Sequence, residues 1–364
     1  MTSLRLLADD LTGALDSAAP FAALGPVQVA WSEDGFAPGR RLRALDGQTR
    51  DLPAALARER VGHWLEHVGS PGIAFKKIDS LLRGNTVVEL EACCRSRHYA
   101  TVVVAPAFPS QHRITTGGVQ KARAGADVPW RKVGPGLTTV LHGARRIPIG
   151  GSRGGAGIVV CDAETQDDLD LIARCPDWEK PVLWCGTSGL ARALSGSPPA
   201  IELRRIPGLL VLMGSTHPTT RAQLALLEQA CPGTLVEGDG LDPAGTAVRL
   251  AERLAFAGLA SLGATDPHAS PGAADWFRAA FEKLVAMSRP DLVVCGGGDT
   301  ARRLCKAAGA ASLLVDGEWR PGFPVARIDA GPWAGVRLIT KAGAFGSPES
   351  LLSLAGSMWE GFGR

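Results

Sequence analysis

Along the chain, short apolar runs of strand length alternate with longer stretches of helical period. The runs are Leu4–Ala8, Val27–Trp31, Ile73–Phe75 and Thr101–Ala105, then Leu209–Met213, Asp291–Cys295, Val325–Ile328 and Val336–Ile339. Continuous apolar runs mark strands buried on both faces, and strands alternating with helices form mainly parallel sheets covered by helices. The pattern predicts an α/β protein. Pro and Gly in SGSPPA, Ser195–Ala200, followed by the polar IELRRIPG, forbid regular structure between two periodic halves. Two domains are therefore expected, 1–204 and 205–364, each with a mainly parallel sheet flanked by helices and with the active site in the cleft between them. Residues 111–155, rich in Gly, Arg and turn formers, read as a long loop system over a site.

Composition supports this picture and narrows the function. A chain of 364 residues exceeds what one core usually fills. With 45% hydrophobic and 21% charged residues it can bury a core without staples. A formal charge of +3, with Lys and Arg scattered, carries no nucleic-acid or membrane signature. The eight cysteines contain no C-x-x-C, so neither a zinc site nor a disulfide framework is indicated and a reducing cytosol fits. Two aspartates interrupt the N-terminal apolar run before a signal core could form, and no apolar run approaches the ~20 residues of a membrane span. A cytoplasmic protein acting on small molecules is expected. His63 and His67 stand at i, i+4 without an evident third ligand, so metal ligands remain unknown.

Candidate chemistry gathers where strands end. In LRLLADDLTGALD, Leu4–Asp16, a strand ends at Asp9 and Asp10 and a helix opens at Thr12–Gly13. Open parallel sheets bind ligands beyond the carboxyl ends of their strands, which puts these acids where chemistry is done, with Asp16 one turn along the helix. Paired acids can accept a hydroxyl proton or hold a polyol, whereas Asp10 alone could cap the helix, a device worth about 1 kcal/mol. FKKIDSLLRGN, Phe75–Asn85, delivers Lys76, Lys77, Asp79 and Ser80 into a turn followed by Arg83, Gly84 and Asn85. Strand alternation sends the two lysines to opposite faces, so one of them reaches the site. Arg83 either clamps a carboxylate bidentately or belongs to a solvated basic turn. APAFPSQHRITTGG, Ala105–Gly118, adds Arg113, hydroxyls and two glycines, which suit a polyhydroxy acid or an ordinary loop.

Three further strand ends lie in the second half. LLVLMGSTHPTTRAQ, Leu209–Gln223, runs through Gly214 and Ser215 into a helix with Pro218 in its first turn, leaving N–H groups and hydroxyls to face an anion. His217 could touch a phosphate, but a histidine at a helix start needs no ligand. DLVVCGGGDTAR, Asp291–Arg302, places Gly296, Gly297, Gly298, Asp299 and Thr300 between a strand and a helix, where the backbone can bend against a phosphate. VRLITKAGAFG, Val336–Gly346, is a strand ending in Lys341, Gly343 and Gly346. One such turn serves packing equally well; two neighbouring ones favour a nucleotide crevice. No G-x-x-x-x-G-K-[ST] occurs, which excludes a Walker-type fold, and GGGDTA departs from G-x-G-x-x-G.

Taken together, ADDLTGALD (Ala8–Asp16), KKIDSLLRGN (Lys76–Asn85), PAFPSQHRITTGG (Pro106–Gly118), GSTHPTTRAQ (Gly214–Gln223), GGGDTA (Gly296–Ala301) and TKAGAFG (Thr340–Gly346) resemble, in order, the four-carbon acid sugar kinase family. The resemblance covers nearly the whole chain. It implies a sugar-acid-binding N-terminal domain and a nucleotide-binding C-terminal domain, with ATP and Mg2+ used to phosphorylate the terminal C4 hydroxyl of threonate, erythronate or 3-oxo-tetronate. It places nucleotide contacts at Ser215, Gly297, Gly298, Asp299, Thr300 and Gly343, and sugar-acid contacts at Asp9, Asp10, Asp16, Lys77, Asp79, Arg83 and Arg113. In the mechanism so implied, an acid of the ADD segment, Asp10 by preference, accepts the hydroxyl proton. Arg83 and Lys77 hold the carboxylate, and Asp299 holds water on the magnesium. Leu81, His112 and His217 depart from the family's usual Thr, Gly and Ser, mostly on the substrate side, and the chain is somewhat short after Gly118.

Two other function classes suit the same residues: an NAD-linked sugar-acid dehydrogenase using the glycine-rich turn, and a non-catalytic cytoplasmic sugar-acid sensor. The expected partners are a small sugar acid and ATP, with neither nucleic acid nor membrane. The oligomeric state stays open, a homo-oligomer included.

Overall fold

The computed structural model describes residues 2–67, 72–125, 127–238, 241–264, 273–343 and 345–363. The chain forms two compact units, Met1–Pro199 and Ala200–Arg364, and the division falls within SGSPPA.

The first unit begins β1 (Leu4–Ala8), α1 (Leu11–Phe21), β2 (Val27–Ala30), β3 (Leu42–Asp46), α2 (Ala54–His67), β4 (Ile73–Lys77), α3 (Thr86–Arg95) and β5 (Thr101–Ala105). It continues through β6 (Arg113–Thr116), β7 (Val119–Ala122), β8 (Arg131–Gly136), α4 (Leu137–Val140), β9 (Arg145–Ile147), β10 (Gly157–Cys161), α5 (Gln166–Ala173), β11 (Val182–Gly186) and α6 (Ser188–Ser195). Its main sheet has the order β2-β3-β1-β4-β11-β5-β10-β9, with every neighbouring pair parallel. The TVVVA of β5 is buried at every position, as helices on both faces require. Leu7, Val102, Val104 and Leu183 pack beneath Val61 and Leu65 of α2 and Leu90 of α3.

Residues 111–155 differ from the expected long loop. They hold an antiparallel meander, β6-β7-β8, followed by α4 and β9. The tight turn at Gly117 and Gly118, with φ of +63° and +70°, lets β7 fold back on β6, and the Asp162 carboxylate accepts both glycine N–H groups at 2.9 and 2.8 Å.

The second unit runs β12 (Leu209–Met213), α7 (Pro218–Ala230), β13 (Leu235–Gly238), α8 (Pro243–Ala257), β14 (Leu259–Ala264), α9 (Ala273–Met287), β15 (Leu292–Gly296), α10 (Gly298–Ala307), β16 (Ser312–Arg320), β17 (Phe323–Ile328), β18 (Arg337–Lys341) and α11 (Ser350–Met358). Strands β13-β14-β12-β15-β18 are parallel, and β17 and β16 close that sheet's edge antiparallel. Mainly parallel α/β architecture therefore holds in both units. No helix among the described residues is long and apolar enough to cross a membrane.

In each unit the chain reverses its direction of growth beside its first strand. After β1 it builds β2 and β3 on one side and returns to place β4 on the other; after β12 it builds β13 and β14 on one side and β15 on the other. Loops leaving the carboxyl ends of such flanking strands part in opposite directions and open a crevice, the usual ligand position in these sheets.

Candidate functional site

At the crevice of the first unit, three carboxylates converge on Arg50. Its Nε donates to Asp9 Oδ2 at 2.8 Å, one terminal nitrogen lies 2.5 Å from Asp10 Oδ2, and the other is 2.7 Å from Asp9 and 3.4 Å from Asp79. The backbone brings this about. Ala8 and Asp9 carbonyls accept from Gly47 and Thr49 at 2.8 and 3.1 Å, so the loop leaving β3 is stitched to the end of β1. Asn85 Nδ2 donates to the carbonyls of Thr49 and Leu52, both at 2.7 Å, and clamps that loop from the other side.

Asp10 is also the N-cap of α1, its Oδ1 accepting from Gly13 N at 2.8 Å, so the capping role and the ion pair coexist on one carboxylate. A Cβ on Gly13 would lie 2.7 Å from Asp10 Oδ1 and 2.9 Å from Lys77 Nζ; glycine is what lets the lysine approach the acid pair. Lys76 and Lys77 do part to opposite faces. Lys76 is buried against Glu89 of α3 at 2.7 Å, and Lys77 turns toward α1.

The environments push the two acids apart. Burial raises the Asp9 carboxyl, but Lys77, Arg50 and Lys76 outweigh it and hold it below the ordinary value. Burial and the adjacent Asp9 charge raise Asp10, with Arg50 and Lys77 offsetting only part. Asp79 is raised by burial and lowered more strongly by Arg83, Lys77 and Arg50, so it stays ionised. A neighbouring pair with one carboxyl depressed and the other raised is the usual arrangement of a permanent anion beside a proton acceptor.

Arg83 forms a fork on Asp79, Nε to Oδ1 at 3.0 Å and a terminal nitrogen to Oδ2 at 2.6 Å, while most of its side chain is open to solvent. Arg113 donates to the carbonyls of Gln111 and His112 and feels the charges of Asp79 and Arg83; its Nε is buried without a partner among the described residues. Asp9 Oδ1 is likewise buried without a partner. An orphan acceptor and an orphan donor in one charged cluster are what a bound hydroxy acid would satisfy. Asp16 accepts from Ser188 Oγ on α6.

Three strand ends meet at the crevice of the second unit. Ser215 follows β12, and a Cβ on Gly343, after β18, would lie 2.6 Å from its Oγ. Gly297, after β15, has φ +101° and donates to Lys341 O at 2.9 Å, so Gly298 opens α10. A Cβ on Gly214 would collide with Thr300 Oγ1, which ties β12 to the first turn of α10. Ala344 of TKAGAFG lies outside the described residues. His217 caps α7, its Nδ1 accepting from Thr219 N at 3.2 Å, with Pro218 as first helical residue. Asp299 is held by Arg302 and Arg303, each at 2.6 Å, which outweigh burial and keep its carboxyl below the usual range.

Arg50 was not among the residues expected from sequence: DGQTRDLP bears no local signature, and β3 itself, half polar as LRALD, was not among the expected strands. In the sequence Lys341 reads only as a strand end, yet its ammonium contacts three loop carbonyls.

Comparison with known proteins agrees with this division of chemistry. A family model described as a sugar-binding N-terminal domain matches residues 4–135 and 136–194, and one described as a nucleotide-binding C-terminal domain matches 210–351. The chain is 31% identical to the D-threonate kinase of Cupriavidus necator, over 96% of each chain. It is 27% identical to the D-erythronate kinase of Heliobacterium modesticaldum, over 96% of this chain and 95% of that one. The fold matches a solved Salmonella typhimurium LT2 structure with TM-score 0.73 at 20% identity, covering 97% of this chain and 99% of that one. Haemophilus influenzae protein HI1011 matches with TM-score 0.68 at 18% identity, over 96% and 99%. With both domain models matched along its length and relatives aligned from end to end, the chain belongs to the four-carbon acid sugar kinase family.

Proposed function

We propose that this protein transfers the γ-phosphoryl group of ATP to the C4 hydroxyl of a four-carbon sugar acid, with D-threonate the foremost substrate. The observation that carries the reading is the Asp9–Asp10 pair on Arg50, one carboxyl depressed and one raised, at the crevice of the unit matched by the sugar-binding model. The names of the relatives favour threonate over erythronate.

Asp10 accepts the C4 hydroxyl proton as the oxygen bonds to phosphorus, a task that suits a carboxyl raised toward neutrality. Asp9, kept ionised, takes a substrate hydroxyl on its unpartnered Oδ1. Lys77, Arg113 and the solvent-facing side of Arg83 hold the carboxylate, with Asp79 orienting Arg83. Asp16, one turn further along α1 and held by Ser188, completes the proposed sugar-acid contacts.

In the second unit, Ser215 and Gly343 make a narrow cradle that a Cβ would fill, and Gly297 through Thr300 present a helix start; both suit a phosphate chain. Phosphoryl transfer demands little covalent chemistry of the protein beyond positioning and charge stabilisation. Among the described residues no three acid, His or Cys side chains form a metal site, and both Asp299 oxygens are engaged by arginines. The residues therefore do not build a cage for Mg2+, and no step is assigned to it; Mg2+ belongs to this reading as the counter-ion of the nucleotide phosphates.

The test is ADP release from Mg-ATP with D- and L-threonate, D- and L-erythronate and their 3-oxo counterparts, each acid also omitted. Turnover is expected with one four-carbon acid and not without it. Silence across the panel from folded protein sinks the reading, and an NAD-linked absorbance change without ATP use would replace it with the dehydrogenase.

A further inference from the structure

Lys341 is fully buried at the end of β18, yet it has no role in the chemistry above. Burial lowers its ammonium to about 8, and no neighbouring charge contributes to the shift. The groups around it are neutral or already paired. Gly296 of β15 stands beside it in register, with the buried Cys295 thiol one position back. On α10 Asp299 is tied to Arg302 and Arg303, and α7 presents Thr220 and Gln223.

Carbonyl oxygens take the place of a counter-ion. Lys341 Nζ donates to Ala342, Gly343 and Phe345 at 3.1, 3.0 and 3.3 Å. Thr220 Oγ1 donates to Gly343 O at 2.6 Å, and Gln223 Nε2 to Phe345 O and Ser347 O at 3.1 and 2.9 Å. A short loop thus has four of its carbonyls drawn inward by one cation and two side chains of α7.

In a trans peptide the N–H points opposite to the C=O of the same plane. Drawing in the carbonyls of Ala342 and Phe345 therefore turns the amides of Gly343 and Gly346 away from the lysine. Neither amide donates to any described residue. Two amides turned away from a buried cation are left to donate to an anion, as main-chain N–H groups do where they bind phosphate.

We infer that Lys341 is a positioning residue for the nucleotide: by gathering the carbonyls of Ala342, Gly343 and Phe345 it aims the Gly343 and Gly346 amides at a phosphate of ATP. This rests on the reading of the second unit as the nucleotide end. It also predicts coupling, since a bound polyanion favours the charged lysine and deprotonation releases the carbonyls.

The experiment measures calorimetric Kd for a non-hydrolysable ATP analogue with Mg2+, acid omitted, for wild type, Lys341→Met and Thr220→Val. Steady-state KM and kcat are measured alongside, and melting temperature monitors folding. Lys341→Met is expected to weaken nucleotide binding at least about tenfold, as loss of charge-assisted hydrogen bonds does, with KM for the acid unchanged. Thr220→Val, which removes one inward bond, is expected to weaken it about threefold. Wild-type Kd should rise from pH 7.5 to 9.5, through the lysine's titration, and this slope should vanish in Lys341→Met. Wild type that binds no nucleotide overturns the functional reading and this inference together. Wild type that binds, with both variants unchanged and no pH slope, overturns the inference alone. Should Lys341→Met fail to fold, Thr220→Val and the wild-type slope decide it, and a flat slope with an unaltered Kd in Thr220→Val is the overturning result.

Discussion

Gly84 lies against the backbone of Arg50: a Cβ on Gly84 would stand 2.7 Å from the Arg50 carbonyl oxygen, and its φ of +63° already disfavours a side chain. This contact, with the Asn85 clamp, fixes the arginine over Asp9, Asp10 and Asp79. Gly84→Ala should push the 49–52 segment away and lower kcat/KM for the acid at least about tenfold, the order of loss expected when a positioning contact slips. KM for ATP should not move, and saturation curves for each substrate in turn would reveal a mixed effect if the contact matters differently.

Asp10 gives a pH signature. A base must be deprotonated to act, so kcat/KM should fall as pH drops through the Asp10 value, which burial and Asp9 raise above that of an ordinary aspartate. Asp10→Asn should cost about 10²–10⁴-fold in kcat and abolish that acid limb. In Arg50→Met the cation that offsets burial is gone, so both Asp9 and Asp10 rise and the acid limb should move to higher pH. A limb that stays in place in Arg50→Met would assign it to some other group.

The strands that bear these residues are readable where burial is continuous, as in β5 and β12, or nearly so, as in β1 with only Arg5 half-buried, because both faces of a parallel strand need apolar side chains. β3 was not, since its LRALD alternates like a half-exposed strand. The meander β6-β7-β8 escaped for a related reason: with KVGPG and GG turns it lacks apolar runs, and its pairing depends on positive-φ glycines. Asp9 and Gly297 are legible in the sequence because each follows a strand directly, and Lys77 because it ends one. Arg50 could not, because its place depends on Asn85 reaching 36 residues back to Thr49. Arg83 and Asp299 were expected to face substrate and magnesium; their in-helix or in-turn partners, three and four residues away, now occupy much of their charge.

Behind the site, Lys76 and Glu89 form a fully buried ion pair, and Lys76 Nζ also donates to Lys77 O at 2.8 Å. Breaking such a pair leaves one charge stranded, a loss of about 3–5 kcal/mol. Glu89→Gln should therefore destabilise the first unit by that order in urea unfolding, whereas a Lys76→Met/Glu89→Leu double variant should recover most of it. The sign with pH follows from Lys76, which burial lowers and Glu89 raises further, to a net value above the ordinary one. Its stabilisation is fully present below the unfolded lysine value and is lost as pH rises through the folded one, so wild type and Glu89→Gln should converge in strongly alkaline solution.

The narrow gap between Ser215 and Gly343 supplies the last test. A Cβ on Gly343 would come within 2.6 Å of Ser215 Oγ and 2.8 Å of its Cβ, closer than side-chain carbons approach, so Ser215 must turn aside. Gly343 has no positive φ, so an alanine there is not strained by its backbone. Gly343→Ala should consequently leave the melting temperature close to wild type while raising KM for ATP about tenfold or more. Ser215→Gly in the same background removes the obstructing hydroxymethyl and should return part of that loss, which distinguishes a steric block from a defect of folding. If Gly343→Ala binds ATP as wild type does, the Ser215–Gly343 cradle is not where the nucleotide lies.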